Sequence, residues 1–121
     1  MVNFADVRDA AAAHLAAMTT PEAAGKRFCC VAASEWMREI ALILDRHFAG
    51  RGRRIPTREL PDFLVRILAQ FDASVRLTVP YLDKRIVFSN QRIKEVLGWQ
   101  PRPKEEAIIA MAESMMQYRT V

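Results

Sequence analysis

Six consecutive apolar residues, Phe28-Cys29-Cys30-Val31-Ala32-Ala33, most constrain what this chain can fold into. Successive residues of a strand point to opposite faces of a sheet, so a run with no polar member has to be covered on both sides. The run therefore predicts a buried strand of parallel type and an α/β fold with helices on both faces. That demand is heavy for a chain of 121 residues, a length that predicts one domain over residues 1–121. The hydrophobic share of 51% and charged share of 26% are ordinary for a globular protein, and disorder is not expected.

The residues around the run predict helices joined by short strands. Val2 to Ala5 have the character of a strand end, and the alanine-rich run Ala10 to Met18 of a helix, with Asp9 placed as its N-cap. Thr19-Thr20-Pro21 stops that helix, and Gly25 marks the turn before the apolar run. Ser34 is suited to cap a second helix, along which Met37, Ile40, Ala41, Leu44 and Phe48 recur at the spacing of one buried face; Gly50 ends it. Arg54 to Thr57 predicts a short edge strand, because Pro56 excludes a central one. Pro61 suits the first position of a third helix whose apolar stripe is Phe63, Leu64, Ile67, Leu68 and Phe71. From Asp72 to Leu82 the pattern is ambiguous, with a continuation of that helix as far as Pro80 one reading.

Arg85 to Phe88 predicts a second short strand, and Ser89 or Asn90 a cap for a brief helix ending at Leu97. Gly98 permits a left-handed turn, and Pro101 and Pro103 lead into the last helix. Glu105 and Glu106 sit in its first turn, where the helix dipole favours carboxylates. Ile108, Met111, Ala112 and Met115 form its buried side, widened by Ile109 and Met116. The predicted order is β-α-β-α-(β)-α-β-α-α: mostly helical, with a few short strands and too little sheet to be self-sufficient.

Charge and cysteine usage exclude several functions. The net charge is +4 and the isoelectric point about 9.5. The densest basic cluster, Arg51, Arg53, Arg54 and Arg58, is interrupted by Gly52 and Pro56 and has no interleaved aromatics for base stacking, so a basic nucleic-acid-binding domain is only the third reading. Cys29 and Cys30 are adjacent, which suits neither a redox pair nor a zinc site, and no metal ligation is expected. They fit buried residues of a reducing compartment. No stretch approaches the ~18 apolar residues of a membrane span. Asp6, Arg8 and Asp9 interrupt any secretory core, and the expected location is the cytoplasm, with no membrane partner.

Three segments in order carry a family resemblance. Phe4-Ala5-Asp6-Val7-Arg8-Asp9-Ala10-Ala11-Ala12-Ala13-His14 resembles the F-V-D-V-R-D-V-A-x-A-H segment of extended short-chain dehydrogenases/reductases, the NAD-dependent epimerase/dehydratase family, especially its dihydroflavonol-reductase-like branch. Gly25-Lys26-Arg27-Phe28 is similar to that family's G-x-R-F/Y entry into a strand. Leu97-Gly98-Trp99-Gln100-Pro101-Arg102, followed by Glu105-Glu106-Ala107-Ile108, resembles its closing L-G-W-x-P-R and E-E-A-I. Ala5 and Ala10, where the family usually has valine, are mild departures. The resemblance spans essentially the whole chain and implies the carboxy-terminal, substrate-side part of a Rossmann-type enzyme that uses NAD or NADP.

The catalytic and cofactor signatures of that family are not matched. Its dinucleotide rests on a glycine-rich turn between strand and helix; with four glycines here, Gly50-Arg51-Gly52 neither follows an apolar strand nor has the spacing. Its reductases use a Tyr-x-x-x-Lys pair, and Tyr81-Leu82-Asp83-Lys84 is one residue short and on the wrong side of the Asp6–Asp9 segment. His14 and His47 are isolated on predicted helices and fit structural roles. Asp9, Gly98 and Trp99 fit a cap, a turn and a packing anchor; Arg8 is open, pairing with Asp6 or a neighbouring loop, or facing the substrate.

The sequence thus implies no catalytic, cofactor or metal residue in this chain, with Arg8 its one substrate-side candidate. The leading expectation is part of an NAD(P)-dependent oxidoreductase, epimerase or dehydratase acting on a small carbonyl, flavonol-like or nucleotide-sugar substrate, inactive without a partner cofactor domain and prone to self-association. The second is a stand-alone, non-enzymatic remnant serving as a protein-interaction module, with Met111, Met115 and Met116 as an adaptable face.

Overall fold

A computed structural model describes residues 1–50, 55–58, 61–79 and 84–118. The fold is α/β and mostly helical, with one small sheet. Its elements are β1 (Val2–Phe4), α1 (Val7–Thr19), a 3-10 turn (Pro21–Ala23), β2 (Ala33–Glu35), α2 (Met37–Phe48), α3 (Asp62–Leu68), α4 (Ala73–Thr78), α5 (Gln91–Leu97) and α6 (Lys104–Gln117).

The sheet corrects the expected parallel strand. β1 and β2 pair antiparallel, with Val2 opposite Glu35, Asn3 opposite Ser34 and Phe4 opposite Ala33. The ladder runs into the apolar run only as far as Ala32, whose N–H donates to the Phe4 carbonyl at 2.9 Å. Beyond Phe4 the chain turns into α1, so no ladder partner is left for Phe28 to Val31. That stretch nevertheless packs with strand alternation. Phe28, Cys30 and Ala32 lie against a buried cluster of Ala13, Ile93 and Trp99, joined by Ala5 and Leu97. Val31 is fixed through its carbonyl, which accepts from Asn90 Nδ2 at 2.7 Å.

A second cluster, Ile40, Ile43 and Ile108 with Phe4, Leu44 and Ile109, holds α2 against α6 and both against β1. Ile93 is 1% exposed, and burying such a side chain contributes about 1.5–3 kcal/mol. The two clusters meet at the neighbours Phe4 and Ala5, so β1 ties them together.

Several local expectations change. Asp6, not Asp9, caps α1, and the helix begins at Val7 rather than near Ala10. Ser34 lies within β2, its hydroxyl donating to Asn3 Oδ1 at 2.5 Å, and Trp36 occupies the cap position of α2 without a side-chain bond. Pro61 precedes α3 as its N-cap, and α3 stops at Leu68; α4 is a separate helix instead of a continuation. Ile55 to Thr57 and Arg85 to Phe88 form no strand, and the latter are all exposed. Arg54 and the stretch from Pro80 to Leu82 lie outside the described residues. Met37 and Met111 are exposed, not buried, and so is the α3 stripe of Phe63, Leu64, Ile67, Leu68 and Phe71. Gly98 has the anticipated left-handed conformation, with φ of 61° at the end of α5.

Candidate functional site

Asp6 and Asp9 open α1, and each carboxylate is buried for a different purpose. Asp6 Oδ1 accepts from the Arg8 backbone N–H at 2.8 Å and from Arg8 Nε at 2.9 Å, while Oδ2 accepts from Nη2 at 2.7 Å. One side chain thus caps the helix and holds a guanidinium bidentately. The hydrogen bonds from Arg8 hold the Asp6 carboxyl down at about 2, against an opposing push from burial. Reciprocally, Asp6 holds the Arg8 guanidinium more firmly protonated than usual.

Asp9 faces the far end of the chain. Its Oδ2 accepts from the Arg102 backbone N–H at 2.9 Å, and its Oδ1 from Arg102 Nη1. The Asp9 carbonyl accepts from Trp99 Nε1 at 2.9 Å, which satisfies the one polar atom of a ring that is 5% exposed. Glu106, in the first turn of α6, joins the two arginines: its Oε1 is 3.3 Å from Arg8 Nη2 and 3.4 Å from Arg102 Nε. The left-handed turn at Gly98 and the extended chain through Pro101 bring Trp99 and Arg102 to α1. Beside this network, Lys104 Nζ donates to Glu35 Oε1 at 2.6 Å, which ties α6 to β2 and holds the lysine above its ordinary pKa.

Arg8, the candidate substrate-side residue, therefore has its guanidinium committed to Asp6 and Glu106, with its side chain about half exposed. It lines neither of two hollows formed by described residues. One, of about 480 Å³, is bounded by Lys94, Gly98, Trp99, Gln100 and Pro101. The other, of about 660 Å³, lies between α3 and α4 and is bounded by Arg66, Ala69, Gln70, Arg76 and Val79. Both are open to solvent.

The remaining candidates are dispersed. Tyr81 lies outside the described residues, and Lys84 is exposed in an irregular segment. His14 Nδ1 bonds the Ala10 carbonyl at 2.7 Å on the outside of α1. His47 is 3.4 Å from Glu113 and stands edge-on to Phe48. Cys29 and Cys30 are free thiols, half-buried, and burial pushes the Cys30 thiol up. Among the described residues no three His, Cys, Asp or Glu side chains gather as a metal site, and no helix is long and apolar enough to cross a membrane.

Sequence reasoning missed Arg102 and Glu106 as partners of Asp9 and Arg8. The usable signal was Asp9 itself. A carboxylate three residues after a capping Asp6 either returns to the helix start or seeks a distant cation, and Arg102 already stood within a noted motif. Neither a protein-family model, nor a curated protein, nor a solved structure matches this chain.

Proposed function

We propose that this chain is the carboxy-terminal, substrate-side portion of an NAD(P)-dependent extended short-chain dehydrogenase/reductase, inactive by itself. The observation that carries the reading is the junction of Asp9 with Trp99 and Arg102. Two segments that resemble the same family, lying 90 and more residues apart, interlock through the side chains that define their resemblance. Chance resemblance would not require the two segments to meet.

The exterior supports a missing partner domain. On α1, Val7, Ala11, Leu15 and Met18 fall on one side of the helix, opposite buried Ala13. Val7 and Met18 are 80% and 83% exposed, a face that a cofactor domain would cover. Among the described residues no glycine-rich cradle for a dinucleotide stands out. Gly25, Gly50 and Gly98 stand at turns and helix ends, none of them in a strand-to-helix turn facing a helix N-terminus. The substrate class in this reading is a small carbonyl, flavonol-like or nucleotide-sugar compound.

Titration calorimetry of the 121-residue chain with NADH and NADPH tests the division of labour. No heat of binding is expected with either, and micromolar affinity for one of them would overturn it. The coding DNA upstream of Met1 tests the family assignment directly. It is expected to encode, in frame, a glycine-rich strand–turn–helix and a Tyr-x-x-x-Lys, and an upstream region without them shifts the reading to a stand-alone interaction module.

A further inference from the structure

Helix α3 is inverted relative to an ordinary surface helix. Phe63, Leu64, Ile67 and Leu68 project within an arc of about 140° at 100° per residue, and Phe71 follows in the turn after the helix. All five are exposed, Phe63 to 62% and Phe71 to 85%. The opposite side of the helix, with half-buried Val65 and the buried Ala69 just beyond its end, is the one turned inward. Helix α3 thus presents its large apolar side outward, and the element it packs with is α4.

Charge identifies what meets this face. Residues 51–90 contain eight basic and four acidic side chains, and the rest of the chain carries ten of each. The whole net charge of +4 therefore lies in the segment that holds the exposed stripe. Arg66 and Arg76 border the same open hollow between α3 and α4, and Arg58, Lys84 and Arg85 are exposed on the flanking chain. Large aliphatic and aromatic side chains on one arc, with exposed Arg58, Arg66 and Arg76 on the same stretch of chain, match an anionic bilayer surface: acyl chains take the stripe and acidic headgroups the arginines.

We propose that α3 and α4 attach the protein to anionic lipid, lying on the bilayer rather than crossing it. A span is out of reach for a helix of seven residues, whereas an interfacial contact needs only the apolar arc. The proposal stands independently of the family reading. A second copy of this chain fits the face less well, because a two-fold contact would bring both cationic segments together. Nucleic acid fits less well because Leu64, Ile67 and Leu68 have no ring to stack on a base.

Co-sedimentation of the full chain with vesicles is the test, comparing pure phosphatidylcholine with mixtures containing phosphatidylserine. Binding is expected to the mixed vesicles alone and to weaken with added salt. The surface variant Phe63→Ser with Phe71→Ser should abolish it while the circular dichroism spectrum is unchanged. Arg58→Gln with Arg66→Gln and Arg76→Gln should weaken it by roughly tenfold or more. Equal binding to neutral vesicles, no binding to either, or binding that survives both variants would overturn the proposal. So would a concentration-dependent dimer that disappears with the Phe63 and Phe71 changes, or retention on DNA without vesicle binding.

Discussion

Asp6 and Asp9 lie three residues apart at the start of one helix, and their neighbours give them opposite duties. Asp6 looks inward to its own helix start and to Arg8; Asp9 reaches across the molecule to Arg102. Both are buried, and an unpartnered carboxylate there would be costly, so the pairing is a condition of the fold. Asp6 sets a pH window. Its carboxyl is at about 2 in the folded protein against an ordinary 3.8, so its contribution is complete above about pH 4 and is lost as pH falls through 2. Asp6→Asn keeps one acceptor for the helix cap and removes the charge together with the second acceptor that holds the Arg8 guanidinium. Urea midpoints at pH 6, 4, 3 and 2 should show the variant less stable at pH 6 and the gap closing in acid. A gap that stays constant to pH 2 would contradict the assignment.

Elements were legible where local chemistry decides them and obscure where distant partners do. Gly98, Ser89 and the carboxylates of α6 mark their helix ends by chemistry that acts within a few residues, and those ends fall where the residues place them. The start of α1 was misplaced because either aspartate satisfies the local rule; only Arg102, 93 residues away, draws Asp9 off. The apolar run from Phe28 was legible as extended chain, but not its covering: it was expected to be buried on both faces, whereas alternate residues pack and the ladder position depends on where β1 ends. The stripe of α3 shows the general limit, since periodicity defines an apolar side and not whether the molecule covers it. Gly98 offers an element-scale test. It adopts φ of 61°, and a Cβ there would meet no atom within 4 Å. Gly98→Ala should therefore cost about 1–2 kcal/mol from backbone conformation alone. Thermal unfolding should show this drop with the ring of Trp99 still buried by fluorescence. No change in stability would mean that the left-handed turn is not required to bring Trp99 and Arg102 to α1.

At the scale of the whole molecule, two modest clusters meet at Phe4 and Ala5 and are clasped by the Asp9–Arg102 junction, while large apolar side chains remain exposed, among them the faces of α1 and α3. The faces differ in their surroundings, which argues for different occupants. Around α3 the chain is cationic. On α1 the exposed side carries Val7, Ala11, Leu15 and Met18 with no surplus of charge, the chain outside residues 51–90 being neutral in sum. An uncharged apolar face has nothing to keep copies of itself apart. If a partner domain normally covers it, the separated chain should pair through it instead. Light scattering across a wide concentration range is expected to show a dimer or larger species at high concentration. Leu15→Ser with Met18→Ser should return it to a monomer without loss of helical signal, because both side chains lie outside the core. The α3 changes Phe63→Ser and Phe71→Ser should leave this association intact. A wild-type chain that stays monomeric at high concentration would remove the support that α1 lends to a missing domain, whereas association abolished only by the α3 changes would assign the self-contact to the wrong face.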